Sequence, residues 1–149
     1  MSYARVFIQG DPPRATMQHK GERVVDGRIY HYTKKRQREA IDYWKRAGLT
    51  LLDRVGHKIK KPIQLSVYFL FKHPSGTPKS IREKVVWRTK RPDADNLLKG
   101  LLDGLTESGL WEDDAQIVSL SVCKYNAPEE KCGTEIRVME LDEEAKSNN

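Results

Sequence analysis

The chain has 149 residues, which suits one compact domain and is too short for two separate cores. Hydrophobic residues make up 38% of it and the mean hydropathy is −0.71. Because no apolar run approaches the roughly 18–20 residues of a membrane helix, a membrane-spanning protein is not expected. The opening Met1-Ser2-Tyr3-Ala4-Arg5 lacks the apolar core of a signal peptide, and we expect a cytoplasmic protein.

Charge is unevenly distributed along the chain. Residues 1–92 hold 22 Lys and Arg against 7 Asp and Glu, whereas residues 93–149 hold 5 against 14, so the two parts carry +15 and −9. A lysine-rich solvated surface is one explanation. A polyanion bound by the basic part, with an acidic cluster elsewhere, explains the separation better, and it indicates a nucleic-acid partner.

The first half of the chain predicts two strands and a long helix. Arg5–Gln9 is typical of a strand, which the Gly and Pro of Gly10-Asp11-Pro12-Pro13 end. Residues 14–28 are polar and basic, and Arg28–Tyr32 predicts a short strand. Thr33 is a suitable N-cap for a helix that runs to about Val55. That helix carries apolar residues at spacings of three and four.

The first turn of this helix is unusually cationic. It contains Lys34, Lys35, Arg36 and Arg38, although positive charge is unfavourable at the positive end of the helix dipole. An anionic partner that compensates these charges is expected, and phosphate is the obvious candidate.

The second half predicts further strands and a second helix. Ile63–Phe71 predicts a strand, residues 79–91 form a basic stretch, and residues 96–107 predict a helix that ends near Gly109. Gln116–Tyr125 and Thr134–Leu141 predict two strands paired as a hairpin. The expected fold is α+β, with one domain over residues 1–141 containing a mixed sheet and two main helices, and a disordered polar tail over residues 142–149.

Carboxylates cluster on either side of the second helix. Pro92 precedes Asp93 and Asp95, which we expect on an extended segment with both side chains on one side. Asp95 or Asn96 would then cap the helix. After about three turns the chain returns to Asp113 and Asp114, so the helix can bring acids from both its ends together. Taken one at a time, these acids are better explained by structural roles, Asp95 as a helix cap and Asp113 and Asp114 as part of a loop that opens a strand. Taken together with the basic part of the chain, they favour a functional site.

Gathered carboxylates repel one another, and a hard divalent cation removes that penalty. All-oxygen ligation selects Mg²⁺, with Mn²⁺ as a substitute. Such an ion can bind a phosphodiester oxygen, activate water and stabilise the leaving oxygen. Lys99, one turn into the helix, is placed to neutralise charge on the phosphorane or to orient the water.

Other carboxylate motifs fit less well. An EF-hand that begins at Asp93 needs Gly and Glu where the chain has Leu98 and Gly104. A phosphatase-type DxD follows a buried apolar strand, whereas residues 86–90 are polar and basic. No acid-x-Lys pair of the restriction-nuclease type follows Asp114, and the sequence contains no Walker loop or GxGxxG.

The segment from Lys90 to Val122 resembles the RusA family of Holliday junction resolvases. The resemblance is carried by Lys90-Arg91-Pro92-Asp93-Ala94-Asp95-Asn96-Leu97-Leu98-Lys99, by Leu102-Asp103-Gly104-Leu105 and by Gly109-Leu110-Trp111-Glu112-Asp113-Asp114-Ala115-Gln116-Ile117. It extends more loosely to the opening strand, to Pro12-Pro13-Arg14 and to the first helix. Pro92 departs from the family, which often has a basic residue at this position.

The resemblance implies a Mg²⁺-dependent homodimer that resolves four-way DNA junctions. It implies metal ligation by Asp93, Asp95 and Asp114 and a catalytic or phosphate-facing Lys99. A junction has two equivalent strands, so paired cuts also favour a two-fold dimer. No nucleotide cofactor is expected. The expected DNA contacts are Arg14, Lys34, Lys35, Arg36, Lys90 and Arg91.

Two alternatives remain open at this point. The first is a non-catalytic, structure-selective DNA-binding protein whose acids are structural. The second is another two-metal nucleotidyl-transfer enzyme, such as a primase fragment, for which the chain is short. Mg²⁺-dependent cleavage of DNA would distinguish the nuclease from the non-catalytic binding protein. Nucleotide incorporation would identify the nucleotidyl-transfer enzyme.

Overall fold

The computed structural model describes residues 2–16, 21–32 and 34–145, which form an α+β fold. The strands are β1 (Tyr3–Gln9), β2 (Gly21–Val25), β3 (Arg28–Tyr32), β4 (Ile63–Lys72), β5 (Val86–Trp87), β6 (Ile117–Ala127) and β7 (Gly133–Glu140). The helices are α1 (Lys35–Val55), α2 (Lys79–Arg82) and α3 (Ala94–Glu107). Within the described ranges, no helix has the length and apolar character needed to cross a membrane.

Strand β4 is the centre of a mixed five-stranded sheet in the order β1-β7-β4-β6-β5. It pairs antiparallel with β7 and parallel with β6. Alternate residues of β4, from Ile63 through Val67 to Phe71, are fully buried, because strand side chains point to opposite faces with a period of two. The predicted strand and its alternation are confirmed.

Helices α1 and α3 pack on one face of this sheet and on each other. Their backbones approach so closely that a Cβ at Gly104 would lie 2.5 Å from the Cβ of Trp44 and 2.6 Å from the carbonyl oxygen of Ile41. At the helix ends, the Arg38 guanidinium donates to both the Glu107 and the Asp42 carboxylates. The α+β class with a mixed sheet and two main helices is confirmed, and α2 is a single additional turn.

The predicted hairpin between the last two strands is wrong. Both strands exist, but β4 lies between them, so β6 and β7 do not pair with each other. A 3₁₀ turn, Glu129–Lys131, follows Pro128 and carries the chain across to the far side of β4. Alternation indicated where the strands lie, but it contains no information about which strand is the neighbour.

Residues 14–28, for which the sequence predicted no strand, contain strand β2. Strand β2 pairs antiparallel with β3 in a separate two-stranded sheet, joined through Asp26 and Gly27, which both have positive φ. The predicted strand Arg28–Tyr32 is therefore confirmed, but it lies outside the main sheet. The predicted N-cap Thr33 and the last four residues of the predicted tail lie outside the described residues.

Candidate active site

Asp93 is the N-cap residue of α3, and Asp95 lies in the first turn of that helix. Asp93 has extended dihedrals (φ −69°, ψ 145°), and its carbonyl oxygen accepts from the Leu97 amide at 3.0 Å. The expected extended run from Asp93 to Asp95, and the expected cap at Asp95 or Asn96, are both wrong. A proline restricts the residue before it, so Pro92 leaves Asp93 free to begin the helix. Both carboxylates are exposed.

Cationic side chains hold the loop that precedes Asp93. The Lys124 Nζ donates to the carbonyl oxygens of Lys90 at 3.0 Å and Pro92 at 2.8 Å. The Arg88 guanidinium donates to the Arg91 carbonyl oxygen and, at 2.8 Å, to the Asn126 side chain. These residues were not predicted from the sequence, although strand alternation places Lys124 and Asn126 on the same side of β6 as the packed Val122.

One exposed surface of α3 carries alternating charges. Asp95, Lys99 and Asp103 recur every four residues, so they lie along one side of the helix. At about 1.5 Å of rise per residue, Asp95 and Asp103 are about 12 Å apart along the axis. Lys99 is exposed between them.

Asp113 and Asp114 lie at the other end of α3, immediately before β6. Asp114 opens a 3₁₀ turn, and the Asp113 side chain caps it by accepting from the Ala115 amide at 2.9 Å. The Gln116 side chain anchors the turn, because its Nε2 donates to the Ile59 and Lys61 carbonyl oxygens. Asp113 and Asp114 are therefore fixed relative to the start of β4.

Partial desolvation raises the pKa of the Asp114 carboxyl, and the neighbouring Asp113 and Asp103 carboxylates raise it further. The pKa of Asp113 moves the other way, because its carboxylate accepts hydrogen bonds from the Ala115 amide and from Asp114. A proton is thus held more tightly on Asp114 than on an isolated aspartate. A divalent cation bound there would replace that proton and relieve the repulsion.

Within the described residues of one chain, no group of three or more Asp, Glu, His or Cys side chains is arranged to hold a metal ion. Asp93 and Asp95 are at the N-terminal end of α3, whereas Asp114 is beside Asp103 toward its C-terminal end. We expected the helix to bring its two ends' acids to one place. A single chain instead presents two separate acidic groups along one helix.

A cavity of about 340 Å³ opens beside the first acidic group. It is lined by Arg14, Thr16, Arg91, Asp93 and Asn96, among others. The Arg14 guanidinium lies 5.1 Å from the centre of the Phe71 ring and pairs with Asp11 at 2.9 Å. Two predicted DNA contacts, Arg14 and Arg91, therefore lie next to a predicted metal ligand.

A larger cavity of about 880 Å³ continues from this one, since Arg14 and Thr16 line both. We call it the basic groove, because its cationic lining residues are Arg14, Lys34, Lys35, Arg36 and Arg46. The buried Gln37 closes its floor by donating to the Thr16 carbonyl oxygen at 3.0 Å. Of the predicted DNA contacts, Lys90 is exposed but lines neither cavity.

Comparisons with known proteins agree on one family. Residues 11–139 match the model for Endodeoxyribonuclease RusA. The crossover junction endodeoxyribonuclease rusA of Lactococcus phage r1t is 33% identical over 136 residues, covering 88% of this chain and 93% of that protein. The protein of the same name from Enterobacteria phage HK97 is 34% identical over 105 residues, covering 67% and 85%. RusA of Escherichia coli (strain K12) is 51% identical over 35 residues, covering 24% and 29%.

Proposed function

Because the chain belongs to the RusA family, we propose that it is a metal-dependent endodeoxyribonuclease that resolves four-way DNA junctions by paired, symmetric cuts. The observation that carries this proposal is the continuity of the basic groove with the acidic N-terminus of α3. Arg14 lines the groove and also the cavity that contains Asp93. A DNA backbone lying in the groove would run directly to a carboxylate.

The donor set of the site fits Mg²⁺, with Mn²⁺ as a substitute. Asp93, Asp95 and Asp114 would hold the ion, since hard cations take carboxylate oxygens and relieve the desolvation and repulsion that raise the pKa of Asp114. Bound there, the ion supplies a Lewis acid and an activated water for phosphodiester hydrolysis.

The protein's own residues then position the DNA. Lys34, Lys35, Arg36, Arg14 and Arg91 would bind phosphates and set the strand's register. Lys99, between the two acidic groups on α3, would place its ammonium against the phosphoryl oxygens, where negative charge increases in the transition state.

A homodimer fits both the substrate and the apolar surface of β6. Strand β5 pairs only with the end of β6, at Tyr125 and Asn126, so the outer edge of its first half has no strand beside it within the described residues. On this strand Val118 is 65% exposed and Leu120 is 47% exposed. Open edges and exposed apolar side chains favour association with another chain.

A dimer would also account for the separation of the acids in one chain. A two-fold axis that crosses the middle of α3 makes the two copies of the helix antiparallel. The Asp95 end of one copy then faces the Asp103 and Asp114 end of the other. Each metal site would in that case take ligands from both subunits.

The test is cleavage of a synthetic four-way junction, a fork and a linear duplex, each in Mg²⁺ and in EDTA. We expect symmetric cuts in two opposed strands of the junction, in Mg²⁺ only. Tight junction binding without cleavage in either Mg²⁺ or Mn²⁺ would support the non-catalytic alternative. Incorporation of labelled nucleotide into a primed template would support the nucleotidyl-transfer alternative.

A further inference from the structure

We propose that Lys124, together with Arg88, is a positioning residue that fixes the loop before Asp93 and so sets where the first metal ligand lies. This inference rests on the proposed function, since it assigns a role in the same site. The loop comprises Lys90, Arg91 and Pro92, and we call it the carbonyl loop.

The carbonyl loop presents three successive backbone carbonyls to cations. The Lys124 ammonium, which can only donate, donates to the first carbonyl oxygen, that of Lys90, at 3.0 Å and to the third, that of Pro92, at 2.8 Å. The Arg88 guanidinium donates through its Nε to the second carbonyl oxygen, that of Arg91, at 3.2 Å. Hydrogen bonds with a charged donor are roughly twice as strong as neutral ones. The backbone immediately before Asp93 is therefore held on every residue.

Arg88 is buried against the core, where it can support the carbonyl loop but is poorly placed to contact DNA. Arg88 is only 9% exposed, and its guanidinium lies 4.8 Å from the centre of the Phe71 ring. Its Nη2 also donates to the Arg91 carbonyl oxygen, and its Nη1 donates to the Asn126 side chain at 2.8 Å. Burial, followed by the nearby positive charge of Arg14, lowers the pKa of Arg88. A buried cation is costly unless its donors are used, and here they are used on the loop.

Lys124 also connects the carbonyl loop to the second acidic group. It lies on β6, which begins directly after the turn that contains Asp114. Strand β6 pairs with β4 from Ile117 to Ala127, with one register shift after Ile117, so a single strand of the sheet spans this distance. The start of β6 thus fixes the position of Asp114. Toward the other end of the same strand, the Lys124 ammonium fixes the carbonyl loop before Asp93. Sites held on rigid elements keep their geometry more accurately than sites on free loops.

The test compares Lys124→Met with Lys124→Arg and with Lys131→Met, a control that removes an exposed lysine just beyond the same strand. The Met variant keeps the length of the side chain and loses its donors. We expect its single-turnover cleavage rate to fall by about 10–100-fold, the range typical of residues that orient metal ligands. The dissociation constant for the junction in EDTA should stay within about twofold, and the Arg variant should recover most of the rate.

A second readout does not depend on cleavage. In Lys124→Met, amide hydrogen exchange in residues 93–97 should be faster than in the wild type, while α1 exchanges at an unchanged rate. If Lys124→Met does not fold, Lys124→Gln takes its place. Unchanged exchange in residues 93–97, or a loss of junction affinity as large as the loss of rate, would overturn the inference. A wild-type protein that never cleaves would refute the proposed function but leave the exchange prediction in force.

Discussion

The Asp103 carboxylate lies near that of Asp114 and raises its pKa, although eleven positions separate the two residues in the sequence. The raised pKa follows from burial first and then from the neighbouring charges of Asp113 and Asp103. The C-terminal half of α3 and the turn before β6 therefore form one acidic surface. The carboxylates of this surface repel one another, and a divalent cation bound here would relieve that repulsion.

Replacing a proposed metal ligand should abolish cleavage without reducing stability. We expect Asp95→Asn and Asp114→Asn each to lower the Mg²⁺-dependent cleavage rate by at least about 100-fold, because each removes a charged ligand. Junction binding in EDTA should be retained. For Asp114→Asn, the midpoint of thermal unfolding in EDTA should not fall, since the ionised carboxylate is disfavoured in the folded protein. A drop of several degrees would instead indicate a structural role.

Mg²⁺ binding should weaken on acidification at a higher pH than an ordinary aspartate would require. Asp114 must be ionised to bind the ion, and its raised pKa keeps it protonated to higher pH. Asp103→Asn removes one repulsive neighbour, so the pH at half-maximal Mg²⁺ affinity should shift downward. The measurement is a Mg²⁺ titration of cleavage at several pH values, with Glu112→Gln as the control. An equal shift in the control would mean that net charge, and not contact with Asp103, is responsible.

Binding should depend steeply on salt through the basic groove. Each phosphate contact contributes about 0.9 to the slope of log affinity against log salt concentration for duplex DNA. The triple variant Lys34→Gln, Lys35→Gln, Arg36→Gln should therefore reduce the slope by about 2–3. The matched control, Lys79→Gln, Arg82→Gln, Lys84→Gln, removes the same charge from exposed residues that do not line the groove. An equal reduction of the salt slope in both variants would contradict a DNA path that is confined to the basic groove.

Local sequence patterns identified most elements of the fold but not their neighbours. The strand around Val67 and the helix around Leu101 have the periodicities of two and 3.6 that burial imposes, and both were predicted within a few residues. The pairing of β6 and β7 with β4 depends on contacts between segments far apart in the chain. Strand β2 was not predicted, because both of its faces are largely exposed and its sequence does not alternate between apolar and polar residues.

The sequence named candidate site residues, which remain a prediction, but it did not reveal how far apart one chain holds them. Asp93, Asp95 and Asp114 were expected in one cluster, but within the described residues of one chain Asp93 and Asp95 lie at one end of α3 and Asp114 lies beside Asp103 toward the other. Lys124, on β6, and Arg88, directly after β5, were missed because Lys and Arg side chains usually face solvent. The available signal was the position of Lys124 on the packed side of β6, two residues after Val122.

The packing of α1 against α3 should not tolerate a methyl group at Gly104. Two of the three atoms that a Cβ there would meet are backbone atoms, Ile41 O at 2.6 Å and Lys45 N at 2.8 Å, which cannot move without displacing α1. We expect Gly104→Ala to lower the free energy of unfolding by about 1–3 kcal/mol, measured by urea titration. The exposed Asp53→Ala is the control for the helix-favouring effect of alanine. A stabilised Gly104→Ala would show that the helices separate readily.

The last prediction concerns the open edge of β6. Replacing Val118 and Leu120 with lysine places two charges on the surface through which we propose that two copies associate. By light scattering, the mass should fall to that of one 17.2 kDa chain, while the thermal midpoint of the remaining fold changes little. Junction cleavage should be lost with dimerisation, because Asp114 of one copy would no longer approach Asp95 of the other. The matched control is Val24→Lys with Ile29→Lys on the β2–β3 hairpin, where these side chains are 70% and 61% exposed. If the hairpin variant dissociates and the β6 variant does not, the two copies associate through the hairpin and the composite metal site is ruled out.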